Sequence, residues 1–551
     1  MTAYVTAAQL RALLDGTDEI AVLDVRSPQA RTTGHLALSS GVPLHDLEQR
    51  IGTAVPRLGT PVVLASEPDL DERAARILSA LGYRDVSVLR DGPAGWTAAG
   101  GRLYTGTNNR SKTLGEWIEK RFGTATIDAA TVAHWRAAGE DVVILDSRPH
   151  SEYLHHHIPG GYDTGGGAEL AYRGLAVVDR PTTKIVVNCA GRTRGIVGAQ
   201  SVINTGIANP VYSLHNGTPA WGWAGERIEH GTGDRAPAPA VIPAERLAWA
   251  QRTLDDAGVA VLDPDQLPEL ITDTTQTTYL IDVRTPEEHS AATYPGARNV
   301  QGGQLVQATD EHLAVRRARI VLVDDADLVR AASTVQWLRY LHDGPLAVVV
   351  TDPRRTAAPT PAAVTVPHVA LITPAELAAE LDSVLVFDLR SSAAYEAGHL
   401  PGSVHARREH LPYTATTTDS LVLVGESPQP GPAGAADLQA AAVGYLPHFA
   451  ARDLADQGYR VRVLAGGPGD VGVPLTTDDP RHTGEIADRT GPPPFGPARD
   501  AWYREYFDWE YALVPNSADD PDFDFDAYLS AHPDAHPDAH PDAHPDPALR
   551  S

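Results

Sequence analysis

Among 551 residues there is one cysteine, Cys189, and lysine occurs only at Lys112, Lys120 and Lys184. A lone cysteine excludes an intrachain disulfide, and with it a secreted disulfide scaffold. Positive charge is scarce: 45 lysines and arginines face 71 acidic residues, a formal net charge of −26. Such a chain lacks the basic surface that non-specific nucleic-acid or anionic-membrane binding needs, so neither partner is expected. No apolar run approaches the roughly 18 residues that span a bilayer. The start, Met1-Thr2-Ala3-Tyr4-Val5, has no cationic stretch ahead of an apolar core. No signal peptide is therefore expected, and a cytoplasmic protein is. The bias from lysine to arginine fits a GC-rich bacterial genome and carries no chemistry.

What is present is globular material: 42% of the residues are apolar and 21% charged, enough for several packed cores. The length suits three to four domains at roughly 150 residues each. Four short apolar runs end in the same Asp-x-Arg signature: Ala21–Arg26, Val143–Arg148, Leu280–Arg284 and Leu385–Arg390. Each reads as a buried strand of a parallel sheet with polar residues at its carboxyl end. After each comes a short helical stretch and a variant of Gly-His-Ile-Pro-Gly, clearest at His157-Ile158-Pro159-Gly160 and Gly398-His399-Leu400-Pro401-Gly402. A second buried strand follows in every copy: Val62–Leu64, Ile185–Val187, Ile320–Val323 and Leu421–Val424. Strand and helix patterns alternate, which predicts an α/β fold with a small parallel sheet and helices on both faces in each of four tandem units. The spans are 8–104, 126–230, 264–352 and 372–475, followed by an aromatic C-terminal segment over 495–551.

Linkers rich in proline and alanine separate the units at Arg235–Pro239 and across 357–361. Within the last segment, Trp502–Glu510 is expected to form a helix docked on the body, because so many exposed aromatics would be costly. From Ala531 to Asp546 the chain repeats Ala-His-Pro-Asp four times. Proline at every fourth position forbids a regular helix, so a solvated low-complexity tail is expected ahead of loose zinc or nickel binding.

Chemistry concentrates at Asn188-Cys189-Ala190-Gly191-Arg192-Thr193-Arg194-Gly195. This stretch joins a buried strand to a helical pattern, which places Cys189 at the carboxyl edge of a parallel sheet and at a helix N-terminus, where open α/β sheets bind ligands. Consecutive loop amides there form an anion-binding nest. Such surroundings, with Arg192 and Arg194 alongside, are expected to lower the thiol pKa below its free value of about 8.5.

These repeats resemble rhodanese domains: Asp-x-Arg after the first strand, His-Ile-Pro-Gly, a loop carrying cysteine, and a terminal Asn216-Gly217-Thr218-Pro219-Ala220-Trp221, paralleled by Asp91-Gly92-Pro93-Ala94-Gly95-Trp96. The chain as a whole is similar to four-domain rhodanese-related sulfurtransferases, and Asn109–Glu116 resembles their first linker. The resemblance implies that the six-residue loop Cys189–Arg194 fits a sulfane sulfur. Seven-residue loops of related phosphatases and arsenate reductases fit an oxyanion, and the tyrosine phosphatase signature needs arginine where Gly195 stands. It implies a thiosulfate sulfurtransferase in which Cys189 is catalytic. Ala190, Gly191, Arg192, Thr193 and Arg194 then bind the persulfide, and the partners are a small thiosulfate-like donor and a thiol, cyanide or protein acceptor. No metal ion or organic cofactor is expected. Asp146, Arg148 and His157 match family positions and read as structural support. Arg173, after a glycine-rich stretch, is equally a donor contact or part of a surface loop. Ala65, Asp324 and Gly425 stand at the cysteine's place in the other units, which are expected to be inactive. A second class stays open: a non-catalytic docking scaffold on which Cys189 carries persulfide or senses oxidation.

Overall fold

The computed structural model describes residues 2–357, 365–426, 444–484 and 486–531. The Ala-His-Pro-Asp repeat beyond Ala531 and residues 358–361 of one expected linker lie outside them. Two compact units form, Met1–Thr107 with Thr360–Gly491, and Asn108–Pro359 with Pro492–Ser551. Each contains two α/β modules.

The second module shows how the sequence builds the sheet. Its strands lie in the order Thr126–Ile127, Val211–Leu214, Lys184–Asn188, Val142–Asp146 and Tyr162–Asp163, all parallel. Alternate residues of the central strands face opposite sides. Ile144, Val186 and Leu214 pack with Ile127, Val132 and Trp221, while Leu145, Ile185 and Val187 pack with Leu170, Ala199 and Val202 on the other face. Such double-sided burial is why these strands read as unbroken apolar runs.

The third module repeats the order with Ala260–Leu262, Leu346–Val350, Arg319–Asp324, Thr278–Asp282 and Arg298–Asn299. In the other unit the first module uses Ala3–Val5, Val86–Leu89, Val62–Leu64, Ile20–Asp24 and Ser40–Gly41. The fourth uses Leu371–Ile372, Arg460–Leu464, Ser420–Val424, Leu385–Asp388 and Val404–His405. The edge strands Ala3–Val5 and Ala260–Leu262 lie ahead of the expected spans 8–104 and 264–352. Both are three residues long and largely exposed, too short to show a period.

The stretch Asn109–Glu116, expected as a linker, is part of the helix Asn109–Phe122. Gly123, at φ +65°, ends it in the left-handed conformation that glycine adopts without strain. The helix is buried through Leu114, Trp117 and Ile118. A β-carbon on Gly115 would stand 2.7 Å from Thr193 Cγ2, so glycine permits this close approach to the cysteine loop. The aromatic C-terminal segment forms the helix Pro497–Tyr511 and buries Arg499, Tyr503, Phe507 and Glu510, a stripe at helical spacing. No helix among the described residues is long and apolar enough to cross a membrane.

Candidate active site around Cys189

Cys189 follows the strand Lys184–Asn188 and precedes the helix Thr193–Asn204. Among the described residues no side chain caps that helix, so amides at its start are left for another acceptor. Sγ of Cys189 takes this role. The Gly191 N–H donates to it at 3.3 Å, and the Gly195 backbone amide, in the first turn of the helix, also favours its ionised form. Gly195 was not among the residues expected to form the nest. Its lack of a side chain matters, because a β-carbon there would stand 3.0 Å from Ser213 Oγ and 3.7 Å from Sγ.

The loop backbone is braced from beneath. Thr218 donates to the Cys189 carbonyl through its N–H at 2.9 Å and its hydroxyl at 3.1 Å. Asn188 Nδ2 donates to Asp146 Oδ2 at 3.2 Å and to Thr218 Oγ1 at 3.1 Å. Asp146 in turn receives Arg148 through Nε at 2.9 Å and Nη2 at 2.6 Å, and Arg148 reaches on to the His156 carbonyl. Equivalent pairs occur at Asp24–Arg26, Asp282–Arg284 and Asp388–Arg390. His157 is buried, stacks on Tyr153 at 4.0 Å and shares its Nδ1 with the Tyr153 carbonyl.

The flanking arginines part company. Arg194 forks onto Glu152 at 2.6 and 2.8 Å, and its charge favours the Cys189 thiolate. The Arg192 side chain instead joins Glu116 at 2.8 and 2.9 Å, Glu119 at 2.5 Å and the Tyr511 hydroxyl at 3.2 Å. It ties the loop to two helices rather than adding charge at the sulfur, which corrects the expectation for Arg192. Thr193 donates its hydroxyl to Glu510 at 2.6 Å, and Ala190 is half-buried. Arg173 donates to Glu169 at 2.7 Å and Glu288 at 3.1 Å. Two carboxylates already compensate its charge, so the structure places it in a structural network rather than at an anionic donor.

The expected lowering of the thiol pKa is also overturned. Cys189 is 2% exposed, and burial pushes its thiol up from the ordinary value. Arg194 and the Gly191 and Gly195 amides oppose the shift without reversing it, and Glu510 adds to it. Removing a thiolate from water costs more than these partners return. The cover comes from the helix Pro497–Tyr511: a β-carbon on Gly191 would lie 3.5 Å from both Phe507 Cε1 and Tyr506 Cε1. Tyr511 fastens the end of that helix through His215 at 2.9 Å and Asn216 at 3.0 Å. Sequence reasoning saw a docked aromatic helix; nothing in the spacing said it would lie over a loop some 300 residues earlier.

In the third and first modules a carboxylate of the chain itself takes amides of the corresponding loop. Asp324 accepts from the Asp325 N–H and the Ala331 N–H, both at 2.8 Å. Beside Ala65, Ser66 gives its N–H to Asp71 at 2.8 Å and its hydroxyl to the same carboxylate. Among the described residues, no cluster of histidine, cysteine and carboxylate side chains is arranged to hold a metal ion.

A family model described as rhodanese-like domain matches residues 6–99, 129–223 and 373–467, about half of the chain. Among solved structures, a thiosulfate sulfurtransferase from Pseudomonas aeruginosa is 36% identical with a TM-score of 0.85, over 95% of this chain and 99% of that one. The Alr3790 protein from Anabaena sp. is 25% identical over 18% of this chain and 80% of that one, with a TM-score of 0.17. Comparison with curated proteins finds no match.

Proposed function

This chain belongs to the rhodanese-like family, and on that premise we propose that it moves a sulfane sulfur from a thiosulfate-like donor to a thiophilic acceptor through a persulfide on Cys189. The observation that carries the reading is the meeting of the Gly191 and Gly195 amides at Sγ, at the carboxyl end of a parallel strand. The ionised sulfur attacks the outer sulfur of the donor. A new S–S bond forms, the donor's S–S bond breaks, and sulfite leaves with the electron pair. The two amides stabilise the negative charge on the enzyme's sulfur before and after transfer. A cyanide ion or thiolate then attacks the outer sulfur, and the Cys189 thiolate departs.

Ala65, Asp324 and Gly425 carry no thiol, so the other three modules have no route to a persulfide. In the third and first of these the Asp324 and Asp71 carboxylates already take loop amides, which supports reading those two modules as scaffold. Burial of the Cys189 thiol favours one second reading, a persulfide-carrying or redox-sensing scaffold that gains sulfur without turnover.

The test is thiosulfate:cyanide sulfurtransfer by the full chain and by Cys189→Ser, with mass analysis of Cys189 after exposure to thiosulfate. The expected result is turnover and an added sulfur in the parent chain and neither in the variant. Activity retained by Cys189→Ser would overturn the reading, and sulfur added without turnover would favour the carrier.

A further inference from the structure

One titratable group at the cysteine loop has no part in the reaction described so far. Glu510, on the helix Pro497–Tyr511, is 0% exposed, and its Oε1 accepts from the Thr193 hydroxyl at 2.6 Å. Among the described residues no donor meets its buried Oε2 with hydrogen-bond geometry, although the Tyr506 hydroxyl, one turn back on the same helix, interacts with this carboxyl group. An unpaired buried carboxylate oxygen costs free energy that packing does not return, and such atoms call for a functional explanation. Oε2 faces the reacting sulfur's cradle: a β-carbon on Gly191 would stand 3.9 Å from it, while the Gly191 N–H donates to Cys189 Sγ. Across this smallest of residues the carboxylate acts on the sulfur, adding to the upward push on the thiol.

We propose that Glu510 is the proton acceptor for a thiol that takes sulfur from Cys189, an inference that rests on the sulfurtransferase reading above. The acceptor class is then a protonated thiol, activated in place. The thiol proton passes to Glu510 Oε2, and the thiolate attacks the outer sulfur of the Cys189 persulfide. A new S–S bond forms as the Cys189 S–S bond breaks, and the electron pair returns to Sγ under the Gly191 and Gly195 amides. No net oxidation occurs, and the proton leaves Glu510 for solvent or for the product persulfide.

The surroundings suit that task. Lys112 and Glu116 face the carboxyl group from the helix Asn109–Phe122. Arg192, Thr193, Arg194 and Cys189 face this region from the loop and helix that follow the strand, and Tyr503, Tyr506 and Tyr511 from its own helix. Burial holds the Glu510 carboxyl above the ordinary range, with Lys112 the leading charge opposing it. A carboxylate raised towards neutrality is a better base at neutral pH than an exposed one.

The test uses the full chain, loaded with sulfur from thiosulfate and freed of donor. It compares discharge to 2-mercaptoethanol, whose thiol must lose a proton, with discharge to sulfite, whose attacking lone pair carries none. Glu510→Gln is expected to lower the thiol-to-sulfite rate ratio about 100-fold, and added formate is expected to restore much of the ratio in Glu510→Ala. Equal slowing of both acceptors, or of neither, would overturn the proposal, as would failure of formate to act. Should the variants not fold, the parent chain supplies the discriminating profile. Thiol discharge levels off above the pKa of Glu510, whereas a tenfold rise per pH unit throughout, the signature of attack by free thiolate alone, would overturn the proposal. A parent chain that never takes up sulfur overturns the sulfurtransferase reading as well; one that loads and discharges without regard to Glu510 overturns this proposal alone.

Discussion

At the residue scale, the chemistry depends on how a sulfur atom is traded between water and two peptide N–H groups. Burial raises the Cys189 thiol while Arg194 and the amides lower it, and burial wins. The thiolate fraction therefore lags behind that of an exposed thiol as pH rises. Alkylation of Cys189 is expected to keep climbing above pH of about 8.5, where a free thiol is half ionised; intact-mass kinetics across pH would read it, and a plateau below that point would contradict it. Glycine positions are equally exacting. A β-carbon on Gly217, already at φ +56°, would come within 2.3 Å of the Cys189 carbonyl oxygen. Gly217→Ala is expected to cut sulfurtransfer by about 100-fold, the scale of losing one oxyanion donor, with the assay read as kcat. The cysteine, its loop and the Asp146–Arg148 pair were legible in sequence because they are adjacent or share a repeated motif. The direction of the thiol's shift was not, because desolvation depends on what lies overhead.

At the scale of elements, one helix and two loops stand out. The helix Pro497–Tyr511 is held over Gly191 by Thr193 to Glu510 and by Tyr511 to Arg192, His215 and Asn216. Tyr511→Phe removes the second set, and a several-fold faster alkylation of Cys189 at fixed pH is the expected outcome. In the cysteine-free loops, burial pushes Asp71 and Asp324 up to about 7, for Asp324 in spite of Arg330 nearby. A carboxyl raised on folding contributes stability that is complete below its unfolded pKa of about 4 and lost as pH rises through the folded value. Asp324→Asn is therefore expected to flatten the fall in urea midpoint between pH 5 and 8, and an unchanged slope would count against this. In sequence these loops read as inactive because Ala65 and Asp324 stand at the cysteine's place. Their carboxylates take loop amides, as the sulfur does in the second module.

At the scale of the whole molecule, each compact unit carries a buried arginine between its two modules. In one, Arg330 of the third module is 0% exposed, reaches Glu169 of the second at 2.5 Å and Glu288 at 2.8 Å, and lies 3.7 Å over Tyr172. In the other, Arg408 of the fourth module meets Glu48 of the first at 2.5 and 2.8 Å and Asp453 at 2.8 Å. Removing one partner of a buried ion set strands the remaining charges, at a cost of about 3–5 kcal/mol. Arg330→Met and Arg408→Met are each expected to lose stability on that scale in urea unfolding, and a loss below about 1 kcal/mol would place them with exposed pairs. Neither arginine was singled out in the sequence, since its partners lie 161 and 360 residues away.

The amino-acid order by itself determined four strand–helix repeats, the α/β class and the position of the sulfur at a strand's carboxyl end. These follow from local periodicity and from motifs a few residues long. Tertiary structure alone decided that modules two and three share one compact unit and one and four the other, and that Arg192 turns away from the sulfur. It also brought Glu510 to the cysteine loop. Solvent exclusion and charge pairing are sums over neighbours in space, and the chain encodes those neighbours only through its folding.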